Sequence, residues 1–97
     1  MTNTETNTQV VRWQAPSIAV MNFPDSERYK GGFGVRSQSS GRIYKISFDA
    51  ALGALYWKCS CQGCIRWGQC KHLDACGLKG RRYGRQLSEA IKYGFIS

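Results

Sequence analysis

The 97-residue sequence contains no apolar run that approaches the roughly 20 residues of a membrane-spanning helix. Its N-terminus also lacks the basic segment, apolar stretch and small-residue cleavage site of a secretory signal. These absences predict an intracellular protein, cytoplasmic or, in a eukaryote, nuclear, rather than a secreted one. The odd number of cysteines, five, agrees with a reducing compartment better than with a full set of disulfides.

Acidic residues are also scarce, since 6 Asp and Glu stand against 14 Lys and Arg, for a formal net charge of +8. Such an excess indicates an anionic partner, and nucleic acid is favoured over a membrane surface because no long amphipathic helix is evident. The alternative is a solvated surface that only keeps the protein soluble. Most of the excess follows residue 57, in Lys58, Arg66, Lys71, Lys79, Arg81, Arg82, Arg85 and Lys92.

The chain is short enough for a single domain, and its N-terminal third contributes little to a core. Residues 1–12 are rich in Thr and Asn and predict a disordered polar leader. Residues 13–32 contain Pro16 and Pro24, which disfavour a long helix. We therefore interpret residues 13–32 as an extended packing arm or short strand, followed by a turn around residues 24–27.

An alternation of apolar and polar side chains begins at Phe33, which is typical of β-strands. It runs over residues 33–38 and 42–49, and the intervening Ser-Ser-Gly is turn material, so these segments predict a hairpin. A third strand is predicted to end at Cys59 and Cys61, whose side chains point the same way.

All five cysteines and the only histidine lie between residues 59 and 76. A domain of this size folds poorly on its hydrophobic core alone, and a metal is a usual remedy. After Cys61, residues 62–69 are interpreted as a loop whose glycines reverse the chain. Cys70 and His72 then return at the start of a short helix, predicted from Lys71 to about Cys76 and ended by Gly77.

The pattern Cys59-x-Cys61, eight residues, Cys70-x-His72 resembles a SWIM-type zinc finger, and the resemblance covers residues 33–78. It implies a structural zinc bound by these four side chains, and a role in DNA binding or protein interaction without catalysis. The expected fold class is a small zinc-stabilised α+β module of ββα type. It would contain an antiparallel hairpin or three-stranded sheet, a short helix after the Cys-x-His pair and a C-terminal helix.

Two further cysteines leave the ligand set open. A knuckle-like set of Cys61, Cys64, His72 and Cys76 is the alternative, although the gap between Cys64 and His72 is long for a knuckle. If Cys64 and Cys76 bind no metal, Cys76 is a small buried residue and Cys64 a free loop thiol.

Catalytic use of the cluster is disfavoured by the same spacing. A cysteine nucleophile paired with His72 would need an orienting acid, and Asp74 lies on a different face of the predicted helix. A Cys-x-x-Cys redox site would belong in a larger α/β domain. We therefore expect no enzyme.

Residues 79–97 are interpreted as a basic segment and a C-terminal helix. Arginines bind phosphates, glycines allow close approach of the backbone and an aromatic ring can stack on a base. The alternative for the basic segment is a flexible linker before the last helix. The alternative for Trp67 is a buried position that covers the metal. The predicted nucleic-acid contacts are Lys79, Arg81, Arg82, Tyr83 and Arg85, with Arg66 and Trp67 as a second group.

The C-terminal helix is expected from Leu87, Ala90 and Ile91, which recur at helical spacing before Gly94. We expect it to pack back on the sheet. Taken together, the sequence predicts a zinc-stabilised nucleic-acid-binding module, with DNA favoured over RNA, that is accessory or regulatory to transcription, recombination or replication. The alternative is an adaptor that docks on a protein of a larger nucleic-acid-processing complex.

Overall fold

A computed structural model describes residues 11–96, which form a four-stranded antiparallel sheet with short helices. The strands are β1 (Met21–Asn22), β2 (Tyr29–Arg36), β3 (Ile43–Asp49) and β4 (Tyr56–Cys59), and they neighbour one another in chain order. The predicted fold class, α+β, is confirmed at this level. The sheet gains a fourth strand because the predicted arm supplies β1.

The helices are α1 (Gln62–Trp67), α2 (Lys71–Cys76) and α3 (Leu87–Lys92), with a 3-10 turn at Arg81–Tyr83. The predicted bounds of α2 are confirmed. The prediction of a loop over residues 62–69 is wrong, since most of this segment forms α1. None of the helices formed by residues 11–96 has the length and apolar character needed to cross a bilayer.

The predicted hairpin is formed by β2 and β3, with Phe33 paired to Ile46 and Val35 to Tyr44. Strand β2 begins four residues before the predicted start at Phe33, inside the segment interpreted as an arm. The register shifts between Lys30 and Phe33, where Gly31 has a φ of +63°. A bulge of this kind interrupts the period-two pattern, so the alternation marks only the second half of the strand.

One face of the sheet carries the core, in which Phe33, Ile46, Phe48 and Trp57 are fully buried. The arm closes this core through Trp13, whose ring centroid lies 4.8 Å from that of Trp57. The C-terminus also packs on this face, as predicted. Its contribution is Ala90 and Phe95, which are buried, whereas Leu87 and Ile91 are 48% and 57% exposed.

The N-terminal leader predicted over residues 1–12 lies outside the described residues except for its last two. The amide of Val11 donates a hydrogen bond to the carbonyl of Lys92, 2.8 Å away. The start of the described chain is therefore tied to the end of α3.

A buried carboxylate, Asp49, ends β3 with no exposed surface. Two nitrogens of Arg28 donate hydrogen bonds to its oxygens at 2.9 and 3.0 Å, the Ala51 amide donates a third at 3.1 Å, and Lys58 Nζ lies 3.7 Å away. Burial by itself raises the pKa of Asp49, but these hydrogen bonds outweigh it and leave the pKa below its usual value. The carboxylate therefore stays ionised and holds β3 and β4 to the chain before β2.

Candidate metal centre

Four side chains of the centre come from the end of one strand and the starts of two helices. Cys59 ends β4, and Cys61 precedes α1 as its N-cap, where its sulfur accepts a hydrogen bond from the Cys64 amide at 3.4 Å. Cys70 is the N-cap of α2, and His72 lies in the first turn of that helix. Helix α1 and its left-handed C-cap, Gly68, connect the two pairs of ligands.

The four ligand atoms all lie within 4.8 Å of one another. Nδ1 of His72 lies 3.7 Å from Sγ of Cys59 and 3.7 Å from Sγ of Cys70. A tetrahedral zinc with bonds of 2.3 Å to sulfur and about 2.05 Å to nitrogen requires a separation of about 3.6 Å. Cys59, Cys61, Cys70 and His72 can therefore coordinate a metal ion.

The imidazole of His72 is oriented by packing. Its ring centroid lies 5.0 Å from that of Tyr44, and its Nε2 is buried without a hydrogen-bond partner among the described residues. Coordination through Nδ1 leaves the proton on Nε2. The ring is thus held by β3 rather than by the carboxylate or carbonyl that often supports a metal-bound histidine.

The thiols of the centre influence one another's ionisation. Hydrogen bonds from the Cys59 and Cys64 thiols hold the pKa of Cys70 far below its usual range. The hydrogen bond to Cys70, together with burial, raises the pKa of both Cys59 and Cys64. A divalent metal at this position must therefore displace protons, so its affinity falls as pH falls.

Cys64 lies in α1 and is buried against the centre, so its description as a free loop thiol is wrong. Its sulfur accepts a hydrogen bond from the Cys59 amide at 3.3 Å. Cys76 is half-buried at the end of α2, and burial raises its pKa. The compact group of ligand atoms includes neither Cys64 nor Cys76, which favours the predicted set over the knuckle-like one.

Gln69 is a buried residue that the sequence reasoning missed. Its Nε2 donates hydrogen bonds to Asp74 at 2.7 Å and to the Leu78 carbonyl at 2.9 Å, while its Oε1 accepts one from the Gly80 amide at 2.7 Å. Asp74 is therefore bonded to Gln69, and the structure offers no support for its pairing with His72. The only signal in the sequence was that Gln69 is a polar residue next to the predicted ligand Cys70, and such a signal is weak.

The basic segment, defined here as residues 79–85, is attached by backbone hydrogen bonds to the elements that carry the centre. The Lys79 carbonyl accepts a hydrogen bond from the Trp57 amide at 3.2 Å, and the Arg82 amide donates one to the Gly68 carbonyl at 3.0 Å. The segment is thus attached to β4 and to the end of α1, which argues against the linker alternative. Its predicted contact side chains are all exposed: Lys79, Arg81, Arg82, Tyr83 and Arg85.

The second predicted group lies at the end of α1, beside the basic segment. Trp67 is 64% exposed, so it does not cover the metal position as core. The guanidinium of Arg66 lies 5.8 Å from the Trp67 ring centroid. Arg81 reaches the same helix end, where its Nη2 donates a hydrogen bond to the Ile65 carbonyl at 3.3 Å.

The chain matches no protein-family model, and neither the curated proteins nor the solved structures contain a match to it.

Proposed function

We propose that this protein is a zinc-stabilised nucleic-acid-binding module of SWIM type, with DNA favoured over RNA. In this proposal zinc has a structural role and the basic segment makes the contacts, in a regulatory or accessory part of transcription, recombination or replication. The proposed zinc ligands are Cys59, Cys61, Cys70 and His72. The proposed nucleic-acid contacts are Arg66, Trp67, Lys79, Arg81, Arg82, Tyr83 and Arg85.

The choice of zinc is supported by the donor set and its geometry. Three thiols and one imidazole in a compact group suit a closed tetrahedral zinc site. The centre also joins β4, α1 and α2, elements too short to be stable alone. Structural zinc contributes about 10–16 kcal/mol in small modules, comparable to the whole stability of a domain.

The observation that carries the nucleic-acid proposal is the meeting of two basic stretches that are 14 residues apart in sequence. Backbone bonds set Arg81 and Arg82 against the end of α1, where Arg66 and Trp67 are exposed. Among residues 11–96 the ion pairs are those of Arg28 and Lys58 with Asp49, so no carboxylate neutralises this surface. Unpaired arginines beside exposed rings suit phosphates and bases.

The test is a salt titration of the zinc-loaded protein with a labelled oligonucleotide. Each phosphate contact adds about −0.7 to −0.9 to the slope of log K against log salt. The variant Arg81→Gln/Arg82→Gln/Arg85→Gln should bind more weakly and lower the slope by about 2–3.

The matched control is Arg12→Gln/Arg42→Gln/Lys92→Gln, which removes the same charge from exposed positions outside the basic segment. It should change the slope far less. If the two triple variants behave alike, the basic segment is not the contact surface.

The adaptor alternative is favoured by one observation, the exposed pair Leu87 and Ile91 one turn apart on α3. Absence of nucleic-acid binding at low salt would leave this alternative in place. In that case the substitutions Leu87→Ser and Ile91→Ser, rather than those of the arginines, should abolish docking on a protein partner.

A further inference from the structure

The sheet has a second face that the rest of the described chain covers only in part. In antiparallel pairs, opposed residues lie on the same face, and Ser47 is opposed to Lys58 and Asp49 to both Tyr29 and Tyr56. Trp13 of the arm and the C-terminus pack on the other face, around Trp57, whereas Ile65 of α1 and Phe23 of the arm border this second face. We name this second side the open face, defined by Tyr29, Lys45, Ser47, Tyr56 and Lys58, of which Lys45 is exposed, Ser47 is buried and the other three are half-buried.

Two adjoining depressions run across this face toward the basic segment. The first includes Tyr29, Lys45 and Ser47, and the second includes Tyr56 and Arg81. Lys58, Cys59 and Ile65 line both. Their volumes, 290 and 210 Å³, lie below the roughly 300–1,000 Å³ of small-molecule pockets. Two small depressions that adjoin one another fit an extended chain better than an enclosed ligand.

The charged side chains that line this groove are all cationic: Lys45, Lys58 and Arg81. No carboxylate among the described residues lines either depression. The nearest acid, Asp49, is buried and hydrogen-bonded twice by Arg28. Lys45 is exposed, has no acidic partner among the described residues and lies 4.9 Å from the Phe23 ring centroid. Lys58 lies 3.7 Å from Asp49 and keeps 44% of its side chain exposed.

Aromatic rings alternate with these cations. The Tyr29 ring lies 5.3 Å from the guanidinium of Arg28 and 5.7 Å from the ammonium of Lys58, so it is held between two positive charges. Tyr56 lies farther along the groove, before Arg81. A positive groove with ring platforms binds unpaired strands, because the faces of duplex bases are already stacked.

We propose that the open face binds single-stranded nucleic acid, which runs from Lys45 past Tyr29 and Lys58 to Arg81. This inference rests on the proposed nucleic-acid function and specifies its substrate. The helices agree with it, since each has six residues and is about 9 Å long, a short element for reading a major groove. Phosphates would meet the lysines and bases would stack on the tyrosines.

The experiment compares labelled single strands of about 12 nucleotides, within the size range of known single-strand sites, with the matched duplex. The wild-type zinc-loaded protein should bind the single strand more tightly than the duplex. Parallel measurements with oligothymidylate and oligouridylate identify which sugar is preferred, since phosphate and base-face contacts are common to both.

Two variants test the surface itself. Tyr29→Leu should weaken single-strand binding about fivefold or more, and Lys45→Gln should lower the salt slope by about 0.7. The matched control is Arg42→Gln, an exposed cation just before β3 that lines neither depression. Zinc content and circular dichroism, measured on each variant, establish whether the fold is retained, since Lys45→Gln also removes a contact with the Phe23 ring.

The outcomes separate this inference from the proposed function. Tighter single-strand binding that both variants weaken supports it. Duplex binding that is at least as tight as single-strand binding would overturn the single-strand proposal. The same holds if Tyr29→Leu and Lys45→Gln behave like Arg42→Gln while the arginine triple variant still loses binding. In both cases the proposed nucleic-acid function stands. If no nucleic acid binds at low salt, both proposals fall.

Discussion

At the scale of single residues, the ligand set makes distinct predictions for neighbouring cysteines. Cys59→Ser and Cys70→Ser should each abolish tight binding of one zinc per chain, because the cluster loses one of its four ligand atoms. Cys64→Ser is the matched control, since Cys64 is buried beside the centre but outside the group of ligand atoms. Native mass spectrometry measures the bound zinc. Retention of tight zinc by the Cys59 variant would contradict the assignment.

Asp49 makes a prediction about pH. Asp49→Asn removes the charge that Arg28 and Lys58 surround and should lower the free energy of unfolding at pH 7 by about 1–3 kcal/mol. Because the folded-state pKa of Asp49 is below its unfolded value of about 3.9, its contribution is present above that pH and is lost as pH falls.

The measurement is denaturant unfolding of both chains in excess zinc as a function of pH. The difference between wild type and Asp49→Asn should be constant from pH 8 to 5 and should shrink below about pH 4. Any loss of metal at low pH should be common to both chains, so the difference isolates Asp49. A difference that grows as pH falls would show that Asp49 is not stabilised as an anion.

Residues with a strong chemical signature were predictable and residues defined by contacts were not. The spacing of the cysteines and the histidine selected the four side chains that the fold brings together. Gln69 carries no such signature, because its three hydrogen bonds depend on chain segments up to 11 residues away. The exposure of Trp67 likewise depends on the orientation of α1, which spacing does not specify.

At the scale of elements, α1 was missed because its sequence, QGCIRW, includes a helix-disfavouring glycine and is too short for a periodic pattern. The residues that mark α1 as a helix lie at its two ends. The sulfur of Cys61 caps the first turn, and Gly68, with a φ of +77°, ends the last one. Cysteine is not a usual cap, and it acts as one here because the centre holds it in place.

The attachment of the basic segment can be tested at Gly80, which pairs with Trp57 in an isolated bridge. A methyl group there would clash with the Gly68 carbonyl and lie 2.9 Å from both Gln69 Oε1 and Leu73 Cδ1. Gly80→Ala should therefore destabilise the protein by about 1–3 kcal/mol and weaken nucleic-acid binding.

Thermal unfolding and anisotropy measure the two effects of Gly80→Ala. Gly53→Ala is the control, because nothing lies within 4 Å of its added methyl group. It should change stability by no more than about 0.5 kcal/mol. Equal stability of the two variants would mean that the segment is not packed as described.

At the scale of the whole molecule, the α+β class followed from strand alternation and from the short helix after Cys70. The tertiary arrangement did not follow, because it depends on long-range contacts. Trp13 reaches Trp57 across 44 residues, and Val11 is tied to Lys92. The periodicity and composition of a sequence describe local segments and do not show which distant segments meet. The structure alone shows that the two ends of the described chain close one core.

The central claim is that zinc holds the basic segment and the sheet in the arrangement that binds nucleic acid. Its most direct test is to remove zinc with a chelator while recording circular dichroism and the anisotropy of a bound oligonucleotide, and then to restore zinc in steps. If zinc holds this arrangement, both signals should be lost together and return together at one zinc per chain. Binding that persists in the zinc-free protein, or that returns without the fold, would contradict it.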